Sequence, residues 1–324
     1  MIKAAVVGIG DVSSVHLDAI AAIDDAELVA VCDTDPSATD GFAVPSFRLV
    51  PEMLDTVRPD VVHVCTPHDQ HFPVAFEVLQ RGIPMLLEKP IASTITDGST
   101  IVDMAKLGNS TVGVCFQNRY NPTSIALQQA LASGRYGAVL GARAQVMWTR
   151  TADYYREKPW RGSWTGGGGG ILMNQAIHTI DLVQWLLGDV TDVSGEIATL
   201  LFADTIEVED TAVGVFHHAS GIRTNFYATL THFENAPVFI EVRCEYATLR
   251  LEGDLVVIHN DGRRELLAEQ DSIGTARSYW GASHERLIRD FYAHLQDQRH
   301  FWIDSNEAMK SLHIAKAFYS KEAQ

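Results

Sequence analysis

Cysteine is scarce and positive charge is in deficit. Four cysteines, Cys32, Cys65, Cys115 and Cys244, are scattered through 324 residues with no C-x-x-C pair. That spacing argues against a disulfide-stapled scaffold or a cysteine-built zinc module. Reduced thiols in a cytoplasmic protein are the simplest reading. Lys and Arg number 25 against 41 Asp and Glu, a formal charge of −16. A sequence-independent grip on nucleic-acid phosphates or on an anionic membrane needs the opposite sign, so neither partner is expected. A membrane span needs about 20 mostly apolar residues. The longest stretch free of Asp, Glu, Lys and Arg, Gly162 to Ile180, contains five consecutive glycines and does not qualify. The first residues, Met1-Ile2-Lys3-Ala4, run into an apolar segment without a cleavage-site pattern, and no signal peptide is expected.

What is present is globular: 46% hydrophobic and 20% charged residues, in a length that suits two domains. Over the first 120 residues, short apolar runs (Ala4–Val7, Leu28–Cys32, Val61–Cys65, Met85–Leu87, Val112–Cys115) alternate with stretches of helical spacing. That alternation predicts βαβ units and an open, doubly wound parallel sheet of Rossmann type. After Asn121-Pro122 the pattern changes. A helical stretch and an alternating run lead to an aromatic and arginine-rich loop, Arg150–Trp164, then to Gly166–Gly170 and an apolar helix over Ile171–Leu187. Beyond Val193, consecutive strands with short turns predict a large, mainly antiparallel, open-faced sheet before two closing helices, Ser283–Gln296 and Ser305–Ser320. The fold expected is α/β, with a dinucleotide-binding domain over 1–120 and an α+β substrate-binding and oligomerisation domain over 121–324.

Gly8-Ile9-Gly10-Asp11-Val12-Ser13 follows the first strand and opens a helix, a G-x-G-x-x-S form of the dinucleotide fingerprint. Gly8 suits the tight turn and Gly10 the close approach of pyrophosphate. Ser13 meets the small-residue requirement less well than glycine. A glycine pair alone is also an ordinary strand-to-helix turn. Asp33 ends the second strand 20 residues after Ser13, where a carboxylate can accept bonds from both ribose hydroxyls. Asp35 adds negative charge and no arginine follows directly, which favours NAD over NADP.

Further along stand Thr66-Pro67 with His71, Glu88-Lys89-Pro90 after the run Met85–Leu87, and Gly168-Gly169-Gly170 followed by Asn174, His178 and Asp181. With this combination the chain resembles, over essentially its whole length, the Gfo/Idh/MocA oxidoreductases, the family of glucose–fructose oxidoreductase and inositol dehydrogenase. The resemblance implies catalytic roles for Lys89, His178 and Asn174. It implies that Thr66, Pro67, His71 and Glu88 line the cofactor, and that Trp160 and Arg161 reach its nicotinamide end. Asn174 stands where many members carry aspartate; an amide can orient a hydroxyl but carries no charge or proton. An imidazole can take a hydroxyl proton, and a lysine beyond a strand's carboxyl end can stabilise an alkoxide. The blander readings are a core histidine on an apolar helix and a surface lysine in a turn.

Tyr154 in the aromatic loop, with Lys89, Asn174, His178 and Asp181, forms the expected substrate set; Asp181 bonds either locally or to substrate. Aromatic faces and planar polar groups there suit a carbohydrate or polyol, though an interface loop has the same composition. The spacings His68/His71, His178/Asp181 and His217-His218 lack a third metal ligand, so no metal is expected. By resemblance, the C-terminal sheet pairs with its twin in a homodimer or homotetramer. The activity expected is NAD-dependent hydride transfer at a secondary alcohol of a sugar, sugar derivative or cyclitol. The alternatives are an NAD-recycling lyase or glycosidase, and a non-catalytic NAD-sensing regulator.

Overall fold

A computed structural model describes residues 1–270 and 283–319 of the chain. Two compact units emerge, Met1–Phe116 with His284–Met309, and Gln117–Ser283 with the remainder from Lys310. The division at residue 120 placed the whole C-terminal region in one domain and did not anticipate that His284–Met309 groups with the N-terminal unit.

In the first unit, β1 (Ile2–Val7), α1 (Ser13–Ala22), β2 (Ala26–Cys32), β3 (Ser46–Phe47), α2 (Val50–Val57), β4 (Val61–Val64), α3 (His68–Gln80), β5 (Met85–Leu87), α4 (Ile95–Gly108) and β6 (Val112–Val114) follow in order. The strands form one parallel sheet in the order β3-β2-β1-β4-β5-β6. The order reverses at β1, so a crevice opens between β1 and β4 beyond their carboxyl ends, where open α/β sheets bind ligands. Continuous runs such as Val61–Val64 and Met85–Leu87 are fully buried, as expected for strands covered on both faces. At the far edge, Val114 N–H donates to Ile303 O at 3.0 Å. A side chain at Gly113 would overlap the Phe291 ring, 2.8 Å from the position of its Cβ.

The second unit runs α5 (Pro122–Ala132), β7 (Val139–Met147), α6 (Ala152–Arg156), α7 (Trp164–Gly167), α8 (Ile171–Asn174), α9 (Ile177–Leu187), β8 (Val190–Ala198), β9 (Thr211–His218), β10 (Arg223–Thr229), β11 (Phe239–Cys244), β12 (Ala247–Glu252), β13 (Asp254–His259) and β14 (Arg264–Ala268). Its sheet has the order β14-β13-β12-β11-β7-β10-β9-β8. Only the β7–β10 pair is parallel; the other pairs are antiparallel. Inward residues such as Ala144, Val146, Phe216 and Phe226 are buried, while Leu140, Val213 and Leu266 remain exposed. Of the closing helices, α10 (Ser283–Gln296) matches its expected bounds, and α11 is described over Ser305–Tyr319. Ser320, the expected end of α11, lies outside the described residues. Phe318 packs edge-on against Phe216 at 6.1 Å between ring centroids.

The single helix expected over Ile171–Leu187 is two helices. Ala176 N–H reaches back five residues to Ile171 O, and α9 begins afresh at Ile177. Apolar periodicity continues across the break, so the sequence pattern did not show it. Among the described residues, no helix is long and apolar enough to cross a membrane.

Candidate active site

Because the first sheet is parallel, the carboxyl ends of its strands share one edge. Gly8, Asp33, Thr66 and Glu88-Lys89 follow β1, β2, β4 and β5 on that edge. Gly8 has φ +86°, and a Cβ there would lie 2.7 Å from Thr66 N, so only glycine fits. Gly10 is different: a Cβ would meet no protein atom within 4 Å. The space beside it is open, as a cradle for phosphate requires. Ser13 is buried and its hydroxyl donates to Gly10 O at 2.7 Å, tying the turn to α1. No side chain caps α1 at Val12, and Asp11 is exposed beside it. An uncapped helix start presents backbone N–H groups and a positive dipole end to an anion.

Asp33 is held rigidly. Its Oδ2 accepts Ile9 N–H at 2.7 Å and its Oδ1 accepts Asp35 N–H at 2.9 Å. Each oxygen keeps a further lone pair for a ribose hydroxyl. Asp35 is exposed and turned inward on its own loop. The Ser37 hydroxyl and N–H both donate to it and hold its carboxyl below the usual range. Thr66 is half-buried, and its Oγ1 is enclosed with no hydrogen-bond partner. The open glycine cradle, the fixed carboxylate and this orphaned hydroxyl fit a dinucleotide.

Glu88 and His71 are buried at this edge. Glu88 is 4% exposed. Its Oε1 lies 3.0 Å from His16 Nε2 and 3.3 Å from His284 Nε2, and its Oε2 accepts Lys89 N–H. Burial pushes the Glu88 carboxyl up, but hydrogen bonds from His16 and His284 outweigh it and hold it well below the usual range. His16 Nδ1 lies 2.8 Å from His63 Nδ1, and His63 Nε2 lies 2.7 Å from the Tyr292 hydroxyl. Burial lowers the pKa of both rings. His71 is fully buried, with Nδ1 2.7 Å from Pro90 O and Nε2 3.0 Å from Thr66 O. It bridges the turns after β4 and β5. The resemblance had placed Glu88 and His71 on the cofactor surface; both spend their polar atoms on protein partners. Pro67, half-buried, precedes α3, and Lys89 is half-buried at the end of its turn.

Among the described residues, His16, Glu88 and His284 are the one group of three whose possible metal-ligand atoms lie within 4.8 Å of one another. Their sequence separation hid the cluster. Its contacts close as hydrogen bonds: Tyr292 O–H to His63 Nε2, His63 Nδ1–H to His16 Nδ1, and His16 Nε2–H to Glu88.

In the second unit, Asn174 and His178 are the two half-buried residues in an otherwise buried run, 171–183. They belong to different helices, α8 and α9, so one shared helical face does not relate them. Asn174 Nδ2 donates to the Tyr154 hydroxyl at 3.3 Å, and Gln175 Nε2 does so at 3.1 Å. The Arg161 guanidinium lies 4.1 Å from the Tyr154 ring centroid and 5.8 Å from that of Trp160. Asp181, expected to bond locally or to substrate, is fully buried. Arg119 donates to both of its oxygens, at 2.7 and 2.6 Å, and Ser311 adds a third bond at 3.0 Å. A buried, bidentate pair of this kind anchors α9.

The glycine run is clamped as well. Glu209 is buried and accepts Gly170 N–H, Leu172 N–H and the Tyr319 hydroxyl; burial nonetheless pushes its carboxyl up. A methyl group at Gly170 would overlap the Glu209 carbonyl. Lys316 Nζ donates to Gly168 O. Sequence reading missed Glu209, Arg119, Lys316, His16 and His63, because each acts through a distant partner and carries no local motif.

A doubly wound sheet with a glycine cradle and a fixed acid defines a dinucleotide-binding oxidoreductase fold. Residues 2–116 match the family model described as "Oxidoreductase family, NAD-binding Rossmann fold", and residues 125–250 match the "GFO/IDH/MocA C-terminal domain". The chain belongs to the Gfo/Idh/MocA family and is an NAD-binding oxidoreductase. It is 28% identical to the D-apiose dehydrogenase of Paraburkholderia graminis, over 98% of this chain and 86% of that one. It is 31% identical to the inositol 2-dehydrogenase of Rubrobacter xylanophilus, over 57% of this chain and 52% of that one. The WlbA dehydrogenase from Bordetella pertussis, solved with NADH and UDP-GlcNAcA, superposes with a TM-score of 0.87 at 29% identity, covering 100% of this chain and 97% of that one.

Proposed function

We propose that this protein oxidises a secondary alcohol of a sugar, sugar derivative or cyclitol, or reduces the matching ketone. The open cradle at Gly10 beside the fixed Asp33 carboxylate carries the reading. The names of its relatives, dehydrogenases of apiose and inositol, supply the substrate class. Gly8, Gly10, the start of α1 and Asp33 would hold NAD, which when bound supplies the hydride acceptor. Thr66 and Pro67 on the strand edge, and Trp160 and Arg161 in the second unit, complete the proposed cofactor set.

The protein's own groups handle the hydroxyl. Lys89 donates to the substrate oxygen and stabilises its developing negative charge. His178 accepts the hydroxyl proton as a general base. Asn174, linked to Tyr154, orients a neighbouring hydroxyl. The second sheet leaves Leu140, Val213 and Leu266 exposed, which suits pairing with a second copy of the chain. A cytoplasmic location fits four free, buried thiols.

The test mixes NAD with a panel of sugars and inositols and follows NADH absorbance. Turnover is expected, falling at least a hundredfold in Lys89→Ala and in His178→Ala. Full activity in Lys89→Ala would remove Lys89 from the mechanism. Product formation without net NADH would favour the NAD-recycling alternative.

A further inference from the structure

Arg150 follows the end of β7, three residues after Met147, and is half-buried in the second unit. Its Nη1 donates to Thr149 O at 2.7 Å and to Asn235 Oδ1 at 2.9 Å. Its guanidinium rests 5.4 Å from the Trp148 ring centroid and 5.1 Å from that of Tyr154. These contacts fix the fork through one nitrogen and two aromatic faces. The remaining edge, Nε with Nη2, has no acceptor, and Arg150 has no carboxylate partner among the described residues. In a chain with 41 acidic residues, a positioned arginine without an acid is a gap in the charge pattern.

An Nε–Nη2 edge presents two parallel N–H donors, the geometry that meets both oxygens of one planar carboxylate. The position matters as much as the shape. The same Tyr154 whose ring faces Arg150 carries the hydroxyl bonded by Asn174 and Gln175. One tyrosine therefore joins the open cation to a residue expected to orient the substrate. A second guanidinium, Arg161, lies over that ring at 4.1 Å. Gln175 is 5% exposed and its Oε1 has no partner. Turning the amide over would only exchange which end lacks one. The surroundings of Tyr154 thus offer a cationic fork and an unspent buried amide within one side chain's reach.

We propose that the substrate is a sugar acid and that Arg150 receives its carboxylate through the Nε–Nη2 edge. This rests on the oxidoreductase reading and narrows it. A carboxylate approaching a protein of net charge −16 is repelled at long range, so a local, pre-oriented cation must supply the attraction. Fixing the fork before the ligand arrives reduces the ordering cost of binding.

The experiment measures binding and turnover in matched pairs: D-glucuronate with D-glucose, and D-galacturonate with D-galactose, each with NAD present. D-glucose 6-phosphate serves as the phosphate arm. Calorimetry gives Kd independently of activity, and NADH absorbance gives kcat/KM. The expected result is at least tenfold tighter binding of the acid in each pair, weakening as salt rises. Arg150→Gln should abolish that preference while leaving the NAD Kd and the circular dichroism spectrum unchanged, and Arg150→Lys should restore it only in part. Equal or tighter binding of neutral sugars, a preference that survives in Arg150→Gln, or preference for the phosphate alone would overturn the proposal. Neutral sugars oxidised by the native chain as well as their acids would sink the sugar-acid inference and leave the oxidoreductase reading standing. No turnover of any pair with NAD binding intact would count against both.

Discussion

His16 and His63 face each other through the same ring atom, Nδ1 to Nδ1 at 2.8 Å. Such a contact holds one proton, so one ring donates and the other accepts. The arrangement is directional: Tyr292 donates to His63, His63 to His16 and His16 to Glu88, with both rings neutral. Burial lowers both imidazole pKa values, that of His63 well below the ordinary 6.5. The unfolded chain therefore takes up protons below about pH 6.5 that the folded chain does not, and stability falls as pH falls through that range. His63→Gln should flatten this acid limb in urea unfolding curves. It should also cost about 1–3 kcal/mol at neutral pH through an unsatisfied buried nitrogen. An unchanged acid limb would show that His63 does not titrate with unfolding.

The same cluster bears on metal. Hydrogen bonds account for the His16, Glu88 and His284 contacts, so Zn²⁺ or Co²⁺ in the micromolar range should neither stabilise the protein nor produce a Co²⁺ d–d band. A band present in the native chain and absent in His284→Asn would convert the cluster into a metal site.

The two glycines of the fingerprint should fail differently. Gly8→Ala meets backbone at 2.7 Å in a left-handed conformation and should impair folding. The Cβ of Gly10→Val meets nothing within 4 Å, so its melting temperature should match the native chain. Its NAD Kd should rise at least tenfold, about 1.4 kcal/mol. Unchanged NAD affinity in a folded Gly10→Val would rule out the cradle.

Asp33 is expected to select the ribose. Replacing Asp33 with Ser and Thr34 with Arg removes the fixed carboxylate and introduces a cation where a 2′-phosphate would stand. The ratio of kcat/KM for NADP to that for NAD should rise at least tenfold. A constant ratio would mean that Asp33 serves only to brace Ile9 and Asp35.

Lys316 is the basic group whose environment most clearly sets a pH window. Burial lowers its pKa from 10.5 to about 8, against an opposing pull from Glu209. Between about pH 8 and 10.5 the unfolded chain binds the proton more tightly, so this group's contribution to stability rises with pH. Compared with Lys316→Met, the native chain should gain stability across that window; partial exposure will screen the amount. A difference that stays flat from about pH 7.5 to 10.5 would contradict the lowered pKa.

Local periodicity was enough to locate most strands and helices of the first unit, and chain order was enough to imply parallel pairing. The glycine turn and Asp33 were legible because adjacent strands in a parallel sheet bring their ends to one edge whatever the side chains do. The break at Gln175-Ala176 was not legible, since apolar, buried residues flank it on both sides, Ile171–Met173 and Ile177. Nor were the partners of Asp181 and Glu88. Arg119 lies 62 residues from Asp181, and His284 lies 196 residues from Glu88. The resemblance assigned Glu88 to the cofactor and left Asp181 open between local and substrate bonds, whereas the folded chain gives the oxygens of both to protein donors.

The sequence by itself determined the class of fold, the dinucleotide turn and the acidic character that leaves phosphate binding to local N–H groups. These follow from short-range sterics, hydrophobic period and charge, all of which act between near neighbours. Only the tertiary structure decided which polar groups are spent and which remain available. Hydrogen-bond satisfaction is a property of three-dimensional neighbours, so the saturated Asp181 and the open edge of Arg150 look equally polar in the sequence and opposite in the fold.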